Sequence, residues 1–123
     1  MLGSFGVMPT LGVRDLALAR EFYEGKLGLS ADDGQEGAVS YKVGGTTLFI
    51  YVSEFAGTNR ATAVNWPVGP EIEAVVAGLK ERGVTFEHYE LPGLRLEGDI
   101  HVGDEMKLAW FKDPDGNIHA LSG

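Results

Sequence analysis

The side chains best suited to chemistry in this 123-residue chain are three histidines, His88, His101 and His119. Imidazole nitrogens bind Zn, Fe, Ni and Cu, so three converging histidines could form a metal centre. The three lie on separate segments, and a shared site would require all of those segments to meet. A surface or packing role is the simpler interpretation of each, and His101 is the one that we expect to line a cleft.

Composition argues against several other chemistries. The chain has no cysteine, which removes disulfides, zinc–thiolate sites and thiol nucleophiles. Its 18 glycines are spread over turns and form no phosphate loop, and its net charge of −8 repels phosphate backbones, so we expect no nucleic-acid partner. No apolar run approaches the ~20 residues of a membrane span, and residues 1–10 do not resemble a signal peptide. We therefore expect a cytoplasmic protein with no membrane partner.

Hydrophobic periodicity predicts two amphipathic helices among short strands. The first helix spans 15–27, with Asp15 as N-cap and Gly28 just beyond its end, and the second runs from Pro70 to Gly83. Residues 90–98 are predicted to be a loop, and the pattern leaves 100–102 open. The predicted strands are 5–13, 29–33 (weak), 37–43, 46–53, 62–68, 84–89, 107–112 and 117–121.

The two halves of the chain repeat the same order of elements. Sliding the first half along until Val13 meets Val68 also brings Gly28 onto Gly83. Such an internal repeat indicates two similar units, although two unrelated α+β stretches would also fit. We predict one domain with module one at about 1–55 and module two at about 61–123.

Three motifs carry a family resemblance. "VRDLALAREFYEGKLGL" (13–29), "EAVVAGLKERGVTF" (73–86) and "WFKDPDGNIHAL" (110–121) resemble the vicinal-oxygen-chelate superfamily, the glyoxalase, bleomycin-resistance and extradiol-dioxygenase type. The resemblance implies an α+β fold, in which two βαβββ modules form curved mixed sheets around a cleft, with one helix packed outside each. It also implies a homodimer, in some members with an exchanged first strand.

Enzymes of this superfamily hold a divalent metal between the modules, which acts as a Lewis acid. The resemblance places the four ligand positions at Met8, Ala63, Ala120 and either Phe49 or Tyr51. None of these is a usual ligand, so we expect no metal and no cofactor.

The remaining cleft residues suit small-molecule binding, because apolar walls with few polar groups are typical of such sites. The predicted ligand-binding residues are Met8, Tyr51, Asn65, His101, Trp110 and Ala120. Trp66 shares the parity of Val64 and Val68, and we expect it to pack under a helix. No catalytic residue can be named.

The sequence thus favours a metal-independent small-molecule binding protein, similar to drug-sequestering bleomycin-resistance proteins. One alternative is a metal-dependent lyase, isomerase or dioxygenase whose shifted ligand set includes His101 or His119. Strand alternation, however, turns His119 away from Ala120. Another alternative is a structural or regulatory domain with a filled cleft.

Overall fold

The computed structural model describes the backbone of residues 1–123 and every side chain except that of Asp33. The first sheet has the order β1-β4-β3-β2, with β1 parallel to β4 and the other pairs antiparallel. Its strands are β1 (Thr10–Val13), β2 (Ala31–Gln35), β3 (Ala38–Val43) and β4 (Thr46–Val52).

Strand β1 is shorter than predicted. The segment from Phe5 to Pro9 lies outside it, because Pro9 has no N–H to donate to a ladder. The Pro9 carbonyl still accepts a hydrogen bond from the Phe49 N–H at 2.9 Å. Phe5 and Val7, predicted to be strand residues, are therefore exposed at the surface.

The first helix begins where the sequence predicted. Asp15 caps α1 (Leu16–Arg20) by accepting hydrogen bonds from the backbone N–H groups of Ala17 and Leu18. The helix then continues as a π-helical turn (Glu21–Lys26), which the periodicity did not predict. Gly28 follows with a φ of 73°, the left-handed conformation that favours glycine after a helix.

The second sheet has the order β5-β10-β9-β8-β7, with β6 also paired to β9. A short 3₁₀ turn (Gly69–Glu71) leads into α2 (Ile72–Glu81) between β5 and β6. The predicted loop at 90–98 contains β7, the open segment 100–102 is β8, and the predicted strand 84–89 is reduced to β6. The strands are β5 (Thr62–Pro67), β6 (Phe86–Glu87), β7 (Arg95–Glu97), β8 (Ile100–Val102), β9 (Lys107–Lys112) and β10 (Ile118–Ser122).

Both sheets turn one face towards a common core. Phe22 and Tyr23, adjacent in the π-helical turn, reach the two sheets: the Phe22 ring lies 6.2 Å from that of Phe111, and the Tyr23 ring lies 6.0 Å from that of Tyr41. We call the core-facing face of the second sheet its helix side, made by Val64, Trp66, Phe111, His119 and Leu121. The opposite face, made by Thr62, Asn65, His101, Trp110 and Ala120, is its open side.

The free edges of β1 and β5 face each other without a backbone ladder between them. The Asn117 side-chain amide crosses this seam and donates to the Gly12 carbonyl at 2.8 Å. The Arg14 N–H donates across it to Asp115 at 3.1 Å. Among the elements described, no helix is long and apolar enough to cross a membrane.

Candidate functional site

A cavity of about 200 Å³ lies in this seam, and we call it the seam cavity. Its walls come from β1, from the end of β4, from the linker 53–61 and from the starts of β5 and β10. Lining residues are Thr10, Leu11, Gly12, Tyr51, Ser53, Phe55, Ala56, Gly57, Thr58, Asn59, Ala63 and Asn117.

Gly57 holds the linker against the second sheet. It has a φ of 71°, and a Cβ placed on it would lie 1.9 Å from the Asp115 carbonyl oxygen. A residue with a side chain is therefore excluded both by conformation and by space. This close approach fixes the linker as the outer wall of the seam cavity.

The aromatic residues of this region are only partly buried. Tyr51 is 40% exposed and stacks on Phe49 with ring centroids 6.2 Å apart, and Phe55 is 72% exposed. Sequence reasoning missed Phe55, although a lone aromatic residue in an otherwise polar linker was an available signal. The structure thus brings the predicted residue Tyr51 together with the family position Ala63.

The open side of the second sheet begins next to the seam cavity, because Thr62 precedes Ala63. Asn65, Ala120 and Trp110 are direct neighbours across three strands. The Trp110 indole N–H donates to the Thr62 hydroxyl at 3.2 Å. Asn65 is exposed and Trp110 is half-buried, so these predicted residues form one surface.

His101 supports that surface from within. It is buried, its Nε2 accepts from the Tyr89 N–H at 2.9 Å, and its Nδ1 lies 3.3 Å from the Leu108 carbonyl. Both ring nitrogens have protein partners, so the ring supports the surface by packing edge-to-face with Trp110, with ring centroids 4.9 Å apart. Met8, the sixth predicted residue, is 51% exposed just before β1.

His119 lies on the helix side, as its parity predicted, and belongs to a buried network that the sequence did not indicate. Its Nδ1 accepts from the Trp66 indole N–H at 3.0 Å, so the neutral ring carries its hydrogen on Nε2. That Nε2–H donates to the Tyr23 oxygen at 2.9 Å, and the Tyr23 hydroxyl donates to Asp113 at 2.8 Å. Burial lowers the pKa of His119 to about 4, and burial also raises the pKa of the Tyr23 hydroxyl above its ordinary value.

Asp113 anchors the end of this network. Its two carboxylate oxygens also accept from the backbone N–H groups of Asp115 and Asn117 and from the Asn117 side chain, at 2.8–2.9 Å. The described side chains include no buried nitrogen or oxygen atom without a hydrogen-bond partner. The network therefore ties the π-helical turn, through Tyr23, to the β9–β10 turn and to β10.

Comparison with protein-family models matches residues 7–121 to the glyoxalase/bleomycin resistance protein/dioxygenase superfamily. The chain belongs to this superfamily. A search of curated proteins found no match.

Solved structures of the superfamily share the fold at low sequence identity. A glyoxalase family protein from Enterococcus faecalis is 22% identical, with complete coverage of both chains and a TM-score of 0.72. Lactoylglutathione lyase from Agrobacterium tumefaciens is 17% identical over 97% of this chain and 92% of that chain, with a TM-score of 0.71. Fosfomycin resistance protein FosX from Mesorhizobium loti is 16% identical over 99% of this chain and 92% of that chain, with a TM-score of 0.69.

The superfamily metal does not fit the residues present. Ala63 and Ala120 carry no donor atom, and the Met8 thioether is a poor ligand for Fe, Mn or Zn. Tyr51 would be a lone oxygen donor on the first sheet. Among the side chains that the structure describes, no group of three or more His, Cys, Asp or Glu could hold a metal ion.

Proposed function

We propose that this protein binds a small molecule at the seam cavity and the adjoining open side, without a metal and without transforming the ligand. The observation that carries the proposal is a cavity lined by Ala63, one of the family ligand positions, and by Tyr51, one of the two candidates for another; Met8 and Ala120 do not line it. An aromatic face, a few neutral polar groups and a preformed space are the usual features of a small-molecule site.

The alternative of a shifted metal site draws less support. It would have to recruit His101 or His119, and each of these buried rings already has protein partners for both nitrogens. A metal would have to displace those hydrogen bonds, at a cost of about 1–3 kcal/mol for each buried group left unpaired.

Metal analysis and ligand screening test the proposal together. After dialysis, the purified protein should retain no stoichiometric Fe, Mn, Ni or Zn. A small-molecule library followed by thermal shift should give ligands that raise the midpoint, because a ligand at about 100 times its Kd stabilises the native state by about 2.7 kcal/mol. Stoichiometric metal would overturn the proposal.

A blocking variant locates the binding. Ala63→Trp places a large side chain in the seam cavity and should abolish the shifts. Ala74→Trp on the exposed face of α2 is the matched control and should leave them unchanged. Hits that survive Ala63→Trp would lie elsewhere on the molecule.

We also propose a cytoplasmic homodimer in which a second copy covers the first residues of the chain. Leu2, Phe5 and Val7 are 81%, 71% and 86% exposed, and large apolar side chains concentrated in one short exposed segment are typical of an interaction surface. Light scattering on a sizing column should give twice the chain mass, and Val7→Lys should reduce it. A monomer at concentrations of tens of micromolar would contradict the dimer.

A further inference from the structure

The seam cavity has a lining without charge. Its polar side chains are Thr10, Tyr51, Ser53, Thr58, Asn59 and Asn117, and the lining includes no aspartate, glutamate, lysine, arginine or histidine. Glu54 and Arg60 belong to the same linker, but their side chains do not line the cavity. In a chain with a net charge of −8, this neutral lining is a property of the site and not of the surface as a whole.

Three of these six polar side chains, those of Thr10, Thr58 and Asn117, donate all of their hydrogens within the protein. The Thr10 hydroxyl donates to the Met8 carbonyl at 3.0 Å, and the Thr58 hydroxyl donates to the Phe55 carbonyl at 2.8 Å. The Asn117 amide donates to the Gly12 carbonyl and to Asp113, both at 2.8 Å. Toward a ligand, the side chains of Thr10, Thr58 and Asn117 can therefore act only as hydrogen-bond acceptors, through the lone pairs of their oxygens.

Such a lining disfavours charged ligands of either sign. An anion would find no lysine, arginine or histidine among the lining residues to neutralise it. A cation would find lone pairs but no carboxylate to neutralise it. Because a charge without a partner costs more to remove from water, even in part, than a neutral group that is hydrogen-bonded, both classes should bind more weakly than a neutral ligand.

From these contacts we infer that the seam cavity takes an uncharged ligand that donates hydrogen bonds, such as a primary amide or a hydroxyl carried on an apolar ring. The inference rests on the proposed binding function and adds the class of ligand to it. Thr10, Thr58 and Asn117 accept the hydrogen bonds, and Tyr51 and Phe55 contact the ring.

Four single-ring probes of nearly equal shape test the inference: benzamide, benzoate, benzamidine and methyl benzoate. The first is neutral and donates, the next two are negative and positive, and the last is neutral without a donor. In ¹⁵N-labelled protein, benzamide should shift the backbone amides of Gly12, Tyr51 and Ala63 saturably, with a Kd on the order of 1 mM for a ligand of this size. The other three should bind at least about tenfold more weakly, which corresponds to about 1.4 kcal/mol.

Charged variants of one lining residue sharpen the test. Ala63→Lys should bring benzoate to the affinity of benzamide, and Ala63→Glu should do the same for benzamidine. Ala74→Lys and Ala74→Glu change the net charge equally but lie on α2, and they should leave the selectivity as it is.

The outcomes separate the two proposals. Benzoate or benzamidine binding at these amides as tightly as benzamide would overturn the neutral-ligand inference and leave small-molecule binding standing. Equal binding of methyl benzoate would overturn the requirement for a donor. No shift with any of the four probes would also overturn the neutral-ligand inference, whereas the library screen decides the binding function separately. Unchanged selectivity in Ala63→Lys would show that the probes bind outside the seam cavity.

Discussion

On the helix side of the second sheet, His119 exchanges hydrogen bonds with Tyr23 and Trp66 in a space closed to water. On the open side, one residue further along the same strand, Ala120 brings no polar atom, and the neighbouring Asn65 is exposed to solvent. On the helix side, the polar side chain of this strand therefore stabilises the fold through its hydrogen bonds. The other face, which contains the family ligand position Ala120, has no carboxylate, lysine or arginine among the residues that define it. The following predictions test whether the two faces differ in the way that this contrast implies.

Removing the anchor of the helix-side network should have the largest effect. Asp113→Ala leaves the Tyr23 hydroxyl and the amides of Asp115 and Asn117 without their acceptor, so we expect the free energy of unfolding to fall by about 3 kcal/mol. Urea denaturation measures the change. Asp104→Ala, in an exposed loop, is the control and should cost less than about 0.5 kcal/mol. Equal costs for the two variants would mean that the network does not hold the fold.

Acid should weaken the same face through His119. Its pKa is lowered to about 4 in the folded protein from the ordinary 6.5, so the unfolded chain binds more protons between those values. The free energy of unfolding should therefore fall as the pH drops from about 6.5 to about 4, by about 3 kcal/mol in all. Denaturation curves at several pH values measure the slope.

A variant assigns that slope to one residue. His119→Gln can accept from Trp66 and donate to Tyr23 but cannot be protonated, so its stability should be nearly flat over this range. The carboxyl groups of Glu24, Glu73 and Asp99, whose pKa values are lowered by hydrogen bonds to Arg20, Lys107 and Lys80, lose their contribution at lower pH. The same slope in His119→Gln and in the parent would refute the assignment.

Adjacent residues on β5 compare the faces directly. Val64→Ala removes buried methyl groups from the helix side and should cost about 2 kcal/mol, whereas Asn65→Ala on the open side should cost less than about 0.5 kcal/mol. Thermal unfolding of the two variants measures the difference. Similar costs would mean that the open side is packed against something in solution, and a concentration-dependent midpoint for Asn65→Ala would identify that partner as a second copy.

A modest effect is expected at Trp110. Trp110→Phe keeps an aromatic ring over His101 and loses the hydrogen bond to Thr62, so we expect a cost of up to about 1 kcal/mol. Chemical denaturation followed by far-UV circular dichroism measures it, and Thr62→Val should give a similar value. If Trp110→Phe lowered the free energy of unfolding as much as Asp113→Ala does, Trp110 would be essential for the stability of the fold and would not belong to an adaptable binding surface.

Local patterns predicted most of the framework. Strand β9 begins and ends at the predicted residues, Asp15 caps α1, and Gly28 and Gly83 adopt the left-handed conformation after their helices. Alternation along β10 placed His119 opposite Ala120. Each of these features depends on residues near one another in sequence, which is why the sequence alone was sufficient.

The features that the sequence missed depend on distant contacts. The Tyr23–Asp113 and Tyr23–His119 hydrogen bonds join residues on different modules, and no spacing along the chain indicates them. The burial of His101 follows from Tyr89 and Leu108 closing on its two nitrogens. Residue type and strand parity were enough to choose candidates for ligand binding. Which of them line a cavity could not be predicted, because the cavity forms only where β1 and β5 come together.

The two tryptophans of this chain sit on opposite faces of one sheet, Trp66 stacked on His119 and Trp110 above His101. Each face therefore carries its own intrinsic fluorophore. With Trp66→Phe, emission would come from Trp110 and would report a ring-bearing ligand arriving on the open side. With Trp110→Phe, emission would come from Trp66 and would decrease as the neighbouring His119 imidazole is protonated. Tryptophan fluorescence could therefore follow the packing of one face and ligand binding on the other separately.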